Sequence, residues 1–466
     1  MGTQLPGEEL IGSDRGHAVV VGGAHAGLLA AHTLAEHFEQ VTVCERDLID
    51  EGTEFRPGVP QARHPHVVLA GGAELLEARF PGLRAELAAL GAPVYDFGLG
   101  LRALLPNGQR LPICALGIEM QNVSRATLER AIRRRVLAHP GVRLRAGFIV
   151  EGLELDRATG TVTGVVGRQR DTASSPGSAY EVGAREHLSA DLVVEATGRA
   201  AKLVSWLVEI GWERPEILEV DGRISYASRF FRLPADHARD WYLATRLTYA
   251  PTINRGGIAL MVDGDRWLIT LIGAGGEVPP TDDSGFVDYA ASLDLEEIPA
   301  AITAGSPLAP TYRFARMANR WICYHRLRHW PQRLIAIGDA VCVFNPVYGQ
   351  GLTVAAQQAQ LLHEVLHSTG TLTGLAQRFQ RQLAGLIRLP WWMATSSDLA
   401  WDPSSLNRSA RLVRWYLHQL LDLLPTDPEV ATRFFRVQNM ISRPAALVPP
   451  HMIAKVLRRS LRHRPN

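Results

Sequence analysis

The sequence predicts an α/β protein: a parallel-sheet domain assembled from separated segments, an inserted β-rich domain, and a helical C-terminal region. Three observations carry this. An apolar run at His17–Val21 leads through glycines into a helical pattern and a second apolar run at Gln40–Cys44, which is a βαβ unit. From about residue 220, aromatic and branched residues alternate with polar ones, as in strands with one buried face. After Gly351 the pattern is helical almost to the end. The 466 residues allow about two or three domains.

Composition narrows the class. With 46% apolar and 21% charged residues the chain can bury large cores, which excludes a disordered or disulfide-stapled protein. A net charge of +2 offers no general attraction for nucleic acid or an acidic membrane. Cys44, Cys114, Cys323 and Cys342 are far apart, without a CxxC pair, so neither a disulfide framework nor a zinc knuckle is expected. The N-terminal stretch lacks a basic region followed by a cleavable apolar core, and no run of 18 apolar residues occurs. A soluble, cytoplasmic protein without a membrane span is expected.

The elements follow in order. Residues 51–63, rich in Pro, Gly and Arg, predict an ordered loop, and helical periodicity runs through Val67–Leu90. Strand-like segments near 101–105 and 109–114 precede a helix at Arg125–Ala138, and 143–168 alternates like antiparallel strands. The polar stretch 170–186 predicts a hairpin tip or mobile loop. Asp191–Glu195 is a buried strand followed by Ala-Thr-Gly-Arg199, and Arg333–Ile337 is another, running into Gly338-Asp339. Arg223–Leu233, Gly257–Asp263 and Arg266–Ala274 predict a second sheet. The terminal helices are expected to break at Pro390, Pro403, Pro425, Pro428 and Pro444.

Two motifs carry chemistry. Gly22-Gly-Ala-His-Ala-Gly27 matches GxGxxG at its outer positions, with Ala24 in the middle. Such a turn brings backbone close to a pyrophosphate, whose charge then rests at a helix N-terminus. Glu45 ends the next strand 18 residues beyond Gly27, where a carboxylate can bind both ribose hydroxyls. This motif alone admits NAD or FAD. The second, Gly338-Asp-Ala-Val-Cys-Val-Phe-Asn-Pro-Val-Tyr-Gly-Gln-Gly-Leu-Thr353, follows a buried strand. Asp339 can bind ribityl hydroxyls, and Gly349 and Gly351 open a helix whose amides can stabilise the negative N1–O2 edge of a reduced flavin.

Through both motifs and nearly its whole length, the chain resembles the FAD-dependent monooxygenases of the p-hydroxybenzoate hydroxylase fold. Arg56-Pro-Gly-Val-Pro-Gln-Ala-Arg-His-Pro-His66, Asp191-Leu-Val-Val-Glu-Ala-Thr-Gly-Arg199 and Phe344-Asn-Pro-Val-Tyr-Gly-Gln-Gly351 resemble a branch that includes the epoxidases of polyether-type polyketides. The resemblance implies a discontinuous Rossmann-like FAD-binding domain (1–219 with 331–370), a β-rich substrate domain (220–330) and a helical C-terminal region (371–466). It implies non-covalent FAD and a cofactor-binding set of Gly22, Ala24, Gly27, Glu45, Arg46, Arg56, Arg125, Asp339, Gly349, Gly351, Leu352 and Thr353. Arg56 and Arg125 would reach the phosphates or ribityl chain, Glu45 the ribose and Asp339 the ribityl group. Thr353 stands where many members have asparagine and still offers a backbone amide.

The activity implied is epoxidation or hydroxylation of a large apolar polyketide-type intermediate by a flavin C4a-hydroperoxide, with no catalytic side chain assigned. Many members carry an Asp-Gly pair where this chain has Glu195-Ala-Thr-Gly198, so electrons would come from NADPH or from a partner flavin reductase. The same departure keeps a non-redox cyclase, holding FAD as a structural cofactor, as the alternative. Halogenation is set aside, because no lysine precedes Lys202 and Arg266-Trp-Leu-Ile-Thr-Leu271 lacks the WxWxIP motif.

The remaining signals are weaker. His64-Pro-His66 would share a face in a strand, yet no further pattern completes a metal site, and packing or hydrogen bonding near the flavin is expected. His25 faces either the cofactor or solvent. Trp391-Trp392 predicts a buried helical face, and Lys455–Arg464 a solvated basic one. Tyr226, Phe230, Phe231, Trp267 and Leu271 are candidates either for an apolar wall over the flavin or for the domain core.

Overall fold

Short segments that are apolar at nearly every position can only be strands covered on both faces, and the computed structural model builds the molecule around them. It describes residues 15–49, 54–170, 182–234, 240–315, 317–402, 404 and 408–462. The N-terminal stretch 1–14, residues 51–53 of the predicted loop, the 171–181 tip, Pro403 and the end of the Lys455–Arg464 run lie outside the described residues.

In chain order, the elements that frame the site are β1 (His17–Val21), α1 (His25–Ala35), β2 (Gln40–Glu45), α2 (Ala70–Arg79), α3 (Arg125–Leu137), β3 (Val142–Ala146) and β4 (Leu192–Glu195). They continue with β5 (Ser225–Arg232), β6 (Arg255–Val262), β7 (Arg266–Gly273), β8 (Leu334–Ala336), α4 (Gly351–His367) and α5 (Leu375–Asp398). One sheet runs β8-β4-β1-β2-β3, every pair parallel. Val19, Val20, Val193, Val194 and Ile335 are fully buried in it, and Leu28, Leu34, Leu362, Phe379 and Leu383 of the helices share its core.

The second sheet is mixed and seven-stranded. Its order is Ser306–Pro307, β5, β7, β6, Leu243–Arg246 and Leu101–Ala103, with Tyr312–Phe314 also pairing with β5. A strand from the first hundred or so residues thus completes the β-rich sheet. A small sheet of Ile217–Val220, Asn319–Ile322 and Cys342–Val343 joins the two regions.

Several local expectations change. The 143–168 stretch is not uniformly antiparallel: its start is the parallel edge strand β3, and only Phe148–Asp156 and Thr161–Arg170 form an antiparallel pair. Alternating polarity cannot distinguish an exposed edge of a parallel sheet from a hairpin. The 109–114 segment contributes only a bridge between Leu104 and Arg110. Helical periodicity from 67 to 90 divides into α2 and Leu83–Ala89, parted at Gly82 with φ +78°. Pro390 does not break α5. It removes one N–H bond, while Ile387 before it and Ala394 after it stay fully buried and hold the helix against the core. Pro428, by contrast, opens the helix Pro428–Gln438, which Asp427 caps.

The β-rich sheet has two unlike faces. Ala227 and Phe231 of β5 and Trp267, Ile269 and Leu271 of β7 point toward the helices Asp283–Ala291 and Glu297–Ala304 and are buried there. Phe231, Trp267 and Leu271 are therefore core, because alternation puts them on the face away from the cavity. Phe230 is on the opposite face but packs 5.9 Å from Phe55, among residues of the C-terminal helices such as Leu420 and Met452. Of the five aromatic and aliphatic candidates only Tyr226 reaches the cavity. None of the four cysteines is in a disulfide. Among the described residues, no helix is long and apolar enough to cross a membrane.

Trp267 is fully buried and meets Trp241 edge-on at 4.6 Å. Trp267→Ala is expected to destabilise the fold by about 3–5 kcal/mol, measured by denaturant unfolding. A loss below ~1 kcal/mol would contradict this placement.

Candidate cofactor and active site

The first glycine turn is dictated by backbone crowding. Gly22 has φ +107°, and a Cβ there would lie 2.6 Å from the Ala196 carbonyl oxygen. At Gly27 a Cβ would stand 1.8 Å from the Gly22 carbonyl oxygen. Neither site accepts a side chain. Ala24 is the N-cap of α1 in extended backbone, so its methyl is accommodated. The first helical bond runs from the Leu28 N–H to the Ala24 carbonyl at 2.9 Å, which leaves the amides of His25, Ala26 and Gly27 at the open end of the helix.

The second motif repeats this logic. Gly338 has φ +68°, and its N–H donates to Gln358 Oε1 at 2.6 Å, placing Asp339 at the end of β8. Gly349 has φ +65°, and α4 makes its first bond from the Val354 N–H to the Gln350 carbonyl at 2.9 Å. The amides of Gly351, Leu352 and Thr353 are therefore left at the helix end. A Cβ on Gly351 would meet nothing within 4 Å. The loop before α4 is pinned by Asp398 of α5, which accepts from the Tyr348 hydroxyl (2.6 Å), Asn319 Nδ2 (2.6 Å) and Asn345 Nδ2 (3.0 Å).

Both helix ends open on one cavity of about 520 Å³. Of the expected set, Gly22, Ala24, Glu45, Arg46, Arg56, Arg125, Asp339, Gly349, Gly351 and Leu352 line it. Gly27 sits behind them, supporting Gly22. Thr353 points elsewhere: its Oγ1 accepts the Leu69 N–H at 3.2 Å, and only its amide belongs to the helix end. Arg46 is exposed at the rim.

The charges are arranged in a buried network. Glu45 Oε2 accepts the Gly23 N–H at 2.9 Å and pairs with Arg56 Nη1 at 2.8 Å, while Oε1 accepts the Asp47 N–H at 2.9 Å. Arg56 also meets Glu129 Oε1 at 2.6 Å and Asp47 Oδ2 at 3.4 Å. Burial pulls its pKa down, but Glu129 and Glu45 outweigh it and hold the guanidinium above its ordinary value. Arg125 differs. Its Nε has no hydrogen-bond partner, Glu129 Oε2 being 3.5 Å away, and burial lowers its pKa despite Glu129 and Asp339. A buried guanidinium lining a cavity with two helix N-termini, incompletely satisfied by its own partners, fits a phosphate. Asp339 opens on the cavity and is otherwise enclosed. Burial pushes its pKa up, with Arg125, Arg199 and Arg320 pulling the other way. These residues offer what an FAD requires: free amides and a guanidinium for phosphates, and a carboxylate for hydroxyl groups.

Glu195 turns away from the cavity. Burial pushes its carboxyl up to about 7, opposed by hydrogen bonds from the Thr197 hydroxyl and N–H. At the position of the family's Asp-Gly pair, it is Thr197 and Gly198 that line the space.

The histidines of the His64-Pro-His66 segment are not in a strand, and both line the cavity. His64 Nδ1 lies 2.7 Å from Ser228 Oγ, itself 2.6 Å from Thr270 Oγ1 on β7. His66 Nδ1 is 2.9 Å from the His64 carbonyl, so that nitrogen carries the proton and Nε2 is left as an acceptor. His25 is buried, with both ring nitrogens lacking a hydrogen-bond partner. Burial first, then Arg63 for His64 and Arg125 for His66, lowers their pKa values to about 4 and about 3. His25 is also held well below its ordinary value by burial and Arg125. All three are neutral imidazoles at neutral pH. Ser228 and Thr270 were not foreseen, and no local pattern marks them, since they reach His64 only across the sheet. Tyr226 and Phe314 bring the β-rich sheet to the cavity wall.

No family model matches the chain. It is 30% identical to protein Rv3254 of Mycobacterium tuberculosis (strain ATCC 25618 / H37Rv), over 97% of this chain and 95% of that protein. Among solved structures, the flavin-dependent brominase Bmp2 superposes with a TM-score of 0.64 at 14% identity, covering 96% of this chain and all of that one. PqsL of Pseudomonas aeruginosa, described as a probable FAD-dependent monooxygenase, gives 0.60 at 16%, covering 82% and 97%. The Diels-Alderase PyrE3 of pyrroindomycin biosynthesis gives 0.57 at 17%, covering 92% and 81%. At these identities the structures share the fold.

An unfolded chain would protonate His64 and His66 near 6.5. Between those values and 6.5 the unfolded state binds more protons, so their contribution is complete above about 6.5 and declines as pH falls toward about 4 and 3. The unfolding midpoint should fall over this window, and less steeply in His66→Gln. Equal slopes in the two proteins would refute the assignment.

Proposed function

We propose that this chain, which belongs to the same family as the mycobacterial protein Rv3254 and has the fold of the FAD-dependent monooxygenases, is itself such an enzyme. It binds FAD non-covalently and adds one oxygen atom to a large, mostly apolar natural-product intermediate of polyketide type, by epoxidation or hydroxylation. The supporting observation is the single cavity that collects the free amides of α1 and α4, with Arg125 and Asp339 between them.

When bound, the flavin supplies activation of O2, one atom entering the substrate and the other leaving as water. The two electrons come from NADPH or from a partner flavin reductase. The chain's own residues do the rest. The α1 amides and Arg125 hold the phosphates, and the amides of α4 favour negative charge at the edge of the ring. Tyr226 and Phe314 give the substrate side an apolar surface. Nε2 of His66, bare because Nδ1 is committed to the His64 carbonyl, is an acceptor held near the ring without a charge. The Ser228–His64 hydrogen bond keeps this segment against the sheet.

A second reading is a cyclase that keeps FAD as a structural element. The likeness to PyrE3 and the inward-turned Glu195 favour it, since a cyclase needs no nicotinamide. A halogenase reading, suggested by the likeness to Bmp2, finds less support: Lys202, at the exposed rim, is the first lysine of the chain.

Product mass separates these. Incubation with candidate polyketide intermediates and a reductant should give products heavier by one oxygen atom. An isomer of unchanged mass, formed without reductant, would establish the cyclase instead. Binding is tested separately. Asp339→Ala and Arg125→Ala should weaken FAD roughly 10- to 100-fold, the value of about 1.5–3 kcal/mol for a hydrogen bond to a charged group. Arg143→Ala, at an exposed position of β3 outside the cavity lining, should change it little. Wild-type flavin content in both buried variants would remove the cofactor assignment.

A further inference from the structure

We propose that Glu36, His37 and His363 bind a first-row divalent cation, zinc in preference, at the ends of α1 and α4 opposite the cofactor cavity. His37 Nε2 and His363 Nδ1 are 3.4 Å apart, and His363 Nδ1 is 2.8 Å from Glu36 Oε2. All three ligand atoms lie within 4.8 Å of one another. Two nitrogens bound to one tetrahedral zinc at the usual Zn–N length stand roughly 3.3 Å apart, so the imidazoles already have ligand spacing. The carboxylate is already within reach of both nitrogens, and its 2.8 Å contact with His363 would open by about half an ångström on ligation.

Local structure explains the arrangement. Glu36 caps the C-terminus of α1, and His363 and His367 lie in the last turns of α4. The partial negative ends of two helices therefore converge where the cation would sit. Arg79 Nη1 holds Glu36 Oε1 at 2.7 Å and leaves Oε2 turned to the histidines, the outer contact that a ligating carboxylate needs. His367, one turn beyond His363 with its ring nearly parallel at 5.9 Å, lies at the edge of the site. Water completes the coordination.

The facing charges are Glu36, Arg79, Arg15, His32, His139 and His367. Arg79 is engaged by Glu36 and Thr33, and Arg15 donates to the Leu366 carbonyl. For His363 to ligate through Nδ1, the ring's hydrogen must sit on Nε2, and Glu36 Oε2 then turns from a hydrogen-bond partner into a fellow ligand. Two imidazoles with one carboxylate suit zinc over magnesium or calcium. Such an ion would fasten together the far ends of the two helices whose near ends face the cofactor cavity.

The test uses the full chain as purified, stripped of metal by a chelator and titrated with Zn²⁺ against a chromophoric competitor. One ion per chain is expected, and Co²⁺ should give visible absorption from a site containing nitrogen ligands. His37→Ala/His363→Ala should lose the site, Glu36→Gln should weaken it, and Arg79→Gln should weaken it about 10-fold. His451→Ala, at a distant exposed histidine, should leave it unchanged. Far-UV circular dichroism and flavin content identify any variant that fails to fold, and the exposed Glu36→Gln keeps the test open if the double variant does. Zinc binding equal in wild type, the double variant and Glu36→Gln would overturn the proposal. Flavin content is read independently, so failure here does not bear on the cofactor assignment.

Discussion

Free amides at the N-termini of α1 and α4 are the constraint on which the rest of the site depends. The first turn of a helix has N–H groups without intrahelical partners, and this fold brings two such ends to one cavity. A cavity of that kind favours negative charge and must let a ligand approach backbone closely. The positive φ angles of Gly22, Gly338 and Gly349 follow from this, as does the empty space beside Gly351. Arg125 adds a full charge to the cavity lining, and Asp339 adds a carboxylate suited to hydroxyl groups.

The Arg56 network serves that geometry. Buried ion pairs contribute little net stability, because desolvation offsets their attraction. Their value here is directional. Glu45 receives the Gly23 N–H, the Asp47 N–H and Arg56 together, which fastens the glycine turn to the end of β2. Glu129 connects Arg56 to α3, the helix that begins with Arg125. Arg56 thereby holds the first glycine turn and Arg125 in fixed relation.

The other sheet closes one side of the cavity. Its outer face is filled by helices, and much of its inner face by the C-terminal helices, so only its Tyr226 end and Phe314 border the cavity. The His64–Ser228–Thr270 chain fixes this end to the segment that carries His66. Three neutral histidines in a region also lined by arginine and aspartate give hydrogen-bonding capacity without added charge, which suits an apolar substrate beside a charged cofactor.

Much of this was legible from residues 17–45 and 333–353 alone. Apolar runs, glycine positions and terminal carboxylates are local signals, because backbone crowding and helix-end chemistry act within a few residues. From them came three of the five strands of the parallel sheet and the two helix ends; Arg46, Arg56 and Arg125 lie outside them and entered only through the family resemblance. Composition and alternation likewise identified the β-rich sheet. Only the tertiary structure decided which of its faces meets the cavity, that Leu101–Ala103 completes it, that α5 runs through Pro390, and that His64 pairs with Ser228. It alone brought His37 to His363, more than three hundred residues away. Those outcomes rest on contacts between distant segments, where a one-residue change of register moves a side chain from cavity to core, and no local pattern records such a choice.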